Sequence, residues 1–246
     1  MGRSHQTEAV VLRTLRLGEA DRILHLYTPA RGRINAVAKG IRRTKSRIGG
    51  RLEPFSVVSV VLHEGRSDLQ TLSTVDLVES HHLVREDPRR AHVAVAGAET
   101  LLKLFAEGDA SPKAYEALRR FLDALAAHEP QGTEPAHEPV LLSLQLKLHW
   151  VAGFAPRLSD CAVCGTPGTP VRFSAASGGG VCTHCPGGFV MAPEAFSAMA
   201  ALLTAAIADA PSLDPRAAAQ VARATAELGM EHGGFRLRSL AVAATA

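Results

Sequence analysis

The chain has 246 residues, 46% of them hydrophobic and 21% charged, enough to bury a core without disulfide staples and too apolar for a disordered protein. Aromatic residues make up only 4%, so the core is aliphatic, and charges interrupt the apolar stretches too often for a signal-peptide core or a membrane span. The net charge of +3 hides an asymmetry: residues 1–80 carry 13 Lys or Arg against 8 Asp or Glu, and residues 81–246 carry 14 against 16.

Residues 9–17, 22–28, 33–40, 55–64 and 69–80 form five β-branched-rich runs separated by turn residues such as Pro29-Ala30-Arg31-Gly32 and Glu64-Gly65-Arg66-Ser67. Five strands in this length predict a small barrel of OB type; an SH3-like barrel would give a similar count. Between strands three and four lies KGIRRTKSRIGGR (39–51), expected to be a long cationic loop. From Arg22 to Leu52 there are nine cations and no acid: Arg22, Arg31, Arg33, Lys39, Arg42, Arg43, Lys45, Arg47 and Arg51. Such a run suits a phosphate backbone, with affinity that is salt-steep and largely indifferent to sequence. A solvated surface loop is the plain alternative. Among the sparse aromatics here, Phe55 reads as core, whereas Tyr27 suits a core or a base-stacking position equally.

After Ser80 the apolar period lengthens to that of helices. Residues 88–107 begin with Asp87 as N-cap and Pro88 at the first helical position, and residues 112–127 repeat the device with Ser111 and Pro112. The pair His81-His82 at the strand-to-helix junction reads as solvent-exposed. EPQGTEPAHEP (129–139) reads as a Pro-rich polar linker, followed by a helix over 140–152 and two Ala-rich helices over 193–209 and 214–232. The alanine content and the 22 Arg against 5 Lys are marks of a GC-rich genome.

Cys161-Ala162-Val163-Cys164 and Cys182-Thr183-His184-Cys185 are two Cys-x-x-Cys pairs separated by 17 residues, a spacing of four-cysteine zinc sites. Gly165 and Gly178 to Gly180 supply the backbone freedom that such knuckles need. Four thiolates fill a tetrahedron, giving one closed, structural Zn2+ with no open position for a catalytic water. His184 as a ligand would need a strained turn, and a redox pair of dithiols lacks the strand-to-helix setting of a thioredoxin-like motif. No Walker loop, G-x-S-x-G or His-Glu-x-x-His is present, so an enzyme is not expected. A sequence-specific transcription factor is equally disfavoured, because the helices after the cysteines are too apolar to read base edges.

Residues 7–80, opening TEAVVLRTLRLGEADRILHLYTPARGRINAVAKG, together with LLSLQLKLHWVAGFAPRLSDCAVCG (141–165) and FSAASGGGVCTHC (173–185), resemble the bacterial RecO family of DNA repair proteins. The resemblance implies a multi-domain β + α chain: an N-terminal OB-fold five-stranded barrel and a helical C-terminal domain with an inserted four-cysteine zinc finger. The corresponding boundaries are 1–80 for the barrel, 81–156 for a helical bundle, 157–190 for the zinc-binding region and 191–246 for C-terminal helices packing on the bundle. It further implies binding of single- and double-stranded DNA, strand annealing, and action with RecR to load RecA onto DNA coated by single-stranded-DNA-binding protein. DNA contacts fall on Arg33, Lys39, Arg42, Arg43, Lys45, Arg47 and Arg51, and metal binding on Cys161, Cys164, Cys182 and Cys185. The protein is expected in the cytoplasm, at the nucleoid, with no membrane partner.

Overall fold

The computed structural model describes residues 4–41, 49–65 and 69–241. They form two compact units, Met1–Pro88 with Phe105–Ala126, and Arg89–Leu104 with Ala127–Ala246. The helical stretch 81–156 is thus shared between the two.

The first unit is built on β1 (Ser4–Leu17), β2 (Asp21–Thr28), β3 (Gly32–Ala38), β4 (Val57–His63) and β5 (Gln70–Glu79), closed as a barrel in the order β1-β2-β3-β5-β4. Closure depends on the 14 residues of β1, whose first half pairs with β4 and second half with β2, with a register shift between Val11 and Arg13 where it changes partner. Strict alternation of buried and half-buried residues along β3 sends Ile34, Ala36 and Ala38 inward. They meet Val11, Leu24, Leu26, Val58, Val60, Leu62 and Val75 in an aliphatic core. The parallel seam from β3 to β5 is short: among the described residues Ala36↔Gln70 and Val37↔Thr71 pair.

Tyr27 lies in this unit fully buried, its ring edge-on to Phe105 at 6.5 Å, which makes it a core residue and removes the stacking alternative. Phe55 is buried as expected, with φ of 69°. The strand-to-helix junction departs from the sequence reading. His82 is exposed and opens a short helix, α1 (His82–Glu86), that the sequence reading lacks, but His81 is only 3% exposed. Its ring places Nδ1 2.9 Å from the Phe55 carbonyl and Nε2 2.8 Å from Asp123 Oδ1. Two acceptors facing the two ring nitrogens explain why a histidine is buried here, and they hold His81 at φ 44°. The Asp123 acceptor belongs to helix α3 (Pro112–Ala127). Ser111 caps α3 through Oγ, 3.2 Å from the Ala114 amide, as the sequence predicts. Near its start, Tyr115 donates to Glu8 of β1 at 2.7 Å, and Arg119 pairs with the same carboxylate at 3.1 Å.

In the second unit, helices α2 (Pro88–Leu104), α4 (Pro139–Val151), α5 (Pro193–Thr204) and α6 (Pro215–Gly233) accompany a short α7 (Arg238–Ala241). Helix α4 is buried along nearly its whole length, which its unbroken run of apolar residues requires. Its Leu142 and Leu146 pack with Phe196, Met199 and Leu202 of α5 and Val221 and Leu228 of α6. Asp214 caps α6 through the Arg216 and Ala217 amides, and Gly234, at φ 62°, ends it. The segment read as a linker is pinned: Glu138, buried, accepts from the Gln131 and Gly132 amides at 2.8 and 2.9 Å, and Glu129 pairs with Arg90 at 2.6 Å. A small sheet, β7-β6-β8 from β6 (Arg172–Ser174), β7 (Gly179–Val181) and β8 (Phe189–Val190), occupies a region the sequence reading leaves without strands. Phe173 of its central strand joins the helical core. No helix among the described residues is long and apolar enough to cross a membrane.

Candidate metal centre and basic surface

The first Cys-x-x-Cys turn is closed by its own backbone. The Gly165 amide donates to the Cys161 carbonyl at 2.8 Å, the Cys161 amide to Thr166 at 3.0 Å, and the Ala162 amide to Gly180 of β7 at 2.7 Å. Gly165, at φ 73°, provides the left-handed step that this turn needs. Gly179 serves a different purpose: a Cβ on it would stand 2.2 Å from the Arg157 carbonyl, so glycine lets β7 bridge the backbone at Arg157, just ahead of the first turn.

The second turn leaves β7 directly, so Cys182 and Cys185 arrive opposite the first pair. All four sulfurs lie within 4.8 Å of one another, with Cys164 Sγ 3.7 Å from Cys182 Sγ. Four thiolates about 2.3 Å from a central ion stand about 3.8 Å apart, so the cage has the size of a tetrahedral thiolate site. The Cys164–Cys182 approach runs between the two pairs, so the four sulfurs form one cluster and not two separate dithiols. His184 is exposed, with Nδ1 3.3 Å from the neighbouring Thr183 hydroxyl, and it takes no place in the cage.

The thiols divide negative charge unequally. The amides of Cys164 and Cys182 point at Cys161 and lower it to about 6, and the Thr166 hydroxyl and amide lower Cys164. Cys185 is pushed up to about 12, first by its hydrogen bond with Cys164 and then by desolvation. Cys161 and Cys164 lose their protons more readily while Cys185, so close to them, resists a further negative charge; a metal ion removes that conflict. The residues therefore fit a metal ion.

The basic segment yields a more qualified picture. Arg42, Arg43, Lys45 and Arg47 lie outside the described residues. Lys39 is exposed in the turn after β3, and no carboxylate among the described residues pairs with it. Arg33, on β3, pairs with Glu107 at 3.3 Å, and the same carboxylate accepts from Asn35 at 2.8 Å. Arg51 donates to the Val75 carbonyl at 2.9 Å and stands 3.6 Å from Asp76. Arg22 meets Glu53 at 3.2 Å, and Arg31 is hydrogen-bonded to Glu64. The window that holds no acid in sequence is thus met by acids from beyond it, a neutralisation that no local count detects.

Comparison with known proteins decides the family. Residues 1–81 match the family model described as Recombination protein O N terminal, and residues 85–241 match Recombination protein O C terminal. The chain belongs to the RecO family. A protein of Thermobifida fusca named DNA repair protein RecO is 43% identical over 81% of this chain and 81% of its own. Proteins of the same name from Rubrobacter xylanophilus and Streptomyces coelicolor are each 38% identical over 85% of this chain, covering 84% and 86% of their own lengths. The barrel and basic segment fall in the N-terminal RecO match and all four cysteines in the C-terminal one. Two residues that shape these sites escape sequence reading: Glu107, in a loop more than 70 positions from Arg33, and Arg172, whose role rests on carbonyls that carry no sequence signal.

Proposed function

We propose that this chain is a non-enzymatic DNA-binding mediator of recombinational repair. It holds single- and double-stranded DNA on the barrel, brings complementary strands together without ATP, and acts with RecR to load RecA onto DNA coated by single-stranded-DNA-binding protein, at the nucleoid in the cytoplasm. The observation that carries this reading is the match to both halves of the RecO family within one chain. The closed five-stranded barrel supports it, since such barrels present loops and an outer face to oligonucleotides. On the protein side, Lys39, Arg42, Arg43, Lys45 and Arg47 supply the phosphate contacts, with Arg33 and Arg51 shared between DNA and their own carboxylates.

Zinc is the metal we assign to Cys161, Cys164, Cys182 and Cys185. When bound it supplies folding free energy and, with four thiolates around it, no place for a reacting water. The protein's own share is to bring the two turns together and aim four sulfurs inward.

Fluorescence anisotropy of single-stranded DNA, titrated at several salt concentrations, tests the reading. The wild type is expected to bind with a steep salt dependence and to anneal complementary oligonucleotides without nucleotide cofactor. Replacing Arg42, Arg43, Lys45 and Arg47 together by Ala flattens the slope of log K against log salt by up to about 3, at ~0.7 per phosphate contact. An unchanged slope removes the segment from the interface.

A further inference from the structure

The two cysteine turns are held by different means, and this asymmetry assigns a role to one residue. The first turn is closed by the three backbone bonds described above. The second, residues 182–185, is a short turn that no such bond ties to another segment among the described residues. Its carbonyls converge instead on a single guanidinium. Arg172 Nη2 donates to the carbonyls of Cys182 at 2.9 Å and Thr183 at 3.4 Å, and is also hydrogen-bonded to that of Cys185. The Arg172 backbone is itself fixed, because it sits on the central strand, paired with Val181 on one side and Val190 on the other.

We propose that Arg172 is the positioning residue for the second half of the metal centre: it shapes the Cys182–Cys185 turn before a metal arrives. The proposal rests on the metal reading of the four cysteines. Carbonyls drawn toward one point on the sheet side hold the turn in the curvature that sends both sulfurs the other way. Nη2 carries two N–H groups, which the three carbonyls share, and the rigid plane of the guanidinium fixes their direction as a freely rotating ammonium would not. The arginine also places a positive charge beside a cage that, with four thiolates and a dication, carries a net charge of −2. The first turn needs no such residue because glycine and its own amides complete it.

The test uses the full-length protein, as wild type, Arg172→Lys and Arg172→Met. Zinc affinity is measured by competition with a chromophoric chelator, and the geometry by the visible spectrum of the cobalt-loaded protein. Arg172→Met is expected to bind zinc about ten- to a hundred-fold more weakly, the usual effect of removing a residue that orients metal ligands, with Arg172→Lys recovering only part. Amide hydrogen exchange gives the second readout and does not depend on metal. In the metal-free variants, exchange is expected to accelerate at residues 182–188 while residues 161–166 and the helices stay as in wild type.

Wild-type zinc affinity in both variants with unchanged exchange overturns the proposal. So does loosening spread equally over both turns, because it reports general unfolding and not positioning. If wild type takes up neither zinc nor cobalt, the metal reading fails by itself. The exchange comparison then still decides whether Arg172 shapes the second turn.

Discussion

Glu107 offers a perturbation whose sign is informative. Its carboxylate takes Arg33 at 3.3 Å and Asn35 at 2.8 Å on β3, and all three groups are on the exposed side of the barrel. If Arg33 contacts a phosphate, Glu107 competes with DNA for it, so Glu107→Gln strengthens binding. Releasing one cation adds about 0.7 to the steepness of the single-strand salt dependence, which corresponds to about five-fold tighter binding at 0.1 M salt. The cost to folding is small, because an exposed ion pair contributes only about 0–1 kcal/mol and glutamine retains a hydrogen-bonding group. Anisotropy with a short labelled single strand, at four or more salt concentrations, reads both affinity and slope. Arg33→Ala is expected to weaken binding by a similar factor, and the double variant to show no gain over Arg33→Ala. Unchanged affinity in Glu107→Gln, with Arg33→Ala impaired, shows that the pair does not mask the arginine. Two silent variants remove Arg33 from the interface.

Treating zinc-loaded protein with a chelator is expected to lower the melting of the second unit by about 10 °C or more, because Phe173 and Met191 enter its core from beside the four-cysteine cluster. The DNA salt slope should persist, and its loss would show that the cysteine region takes part in DNA binding. Replacing His81 by Ala should destabilise the first unit by roughly 2–3 kcal/mol in urea unfolding, since the buried acceptor it serves loses its partner. His81→Gly should recover about 1 kcal/mol of that by relieving a left-handed backbone; equal losses would refute the strain argument. Burial holds His149 below the usual histidine range, so the unfolded chain takes up its proton first as pH falls through about 6.5. Stability from this group is complete above that pH and declines below it, by at most about 1.4 kcal/mol per pH unit. His149→Gln should flatten that part of the curve measured between pH 5 and 8.

Much of the fold is legible because periodicity and helix starts are local. Alternation along residues 33–40 places Ile34, Ala36 and Ala38 inward, and the structure buries them. Pro88 and Pro112 mark helix starts as expected, and the helices read from 140, 193 and 214 begin at Pro139, Pro193 and Pro215. The cysteine spacing foretells one cluster because each Cys-x-x-Cys turn is short enough to aim both of its sulfurs one way. What stays hidden is long-range. His81 is buried by acceptors at residues 55 and 123, Arg33 meets a carboxylate 74 positions away, and Arg172 answers to backbone oxygens that every sequence has. The three short strands around Arg172 have two or three residues each, too few to show a period.

The short seam between β3 and β5 has a bearing on how such a protein can vary. Beyond Val37↔Thr71 the two strands part, and the chain leaving β3 at Gly40 re-enters the described structure at the turn Gly49–Arg51, which lies on β5. The β2–β3 hairpin contrasts with this seam: its pairing is continuous from Arg22↔Ala38 to Thr28↔Gly32, so a single deletion within it would turn a whole buried row outward. Gly40 and Gly49, outside every ladder among the described residues, thus flank the segment where the charge of the proposed phosphate contacts can be retuned while the aliphatic core is conserved as built.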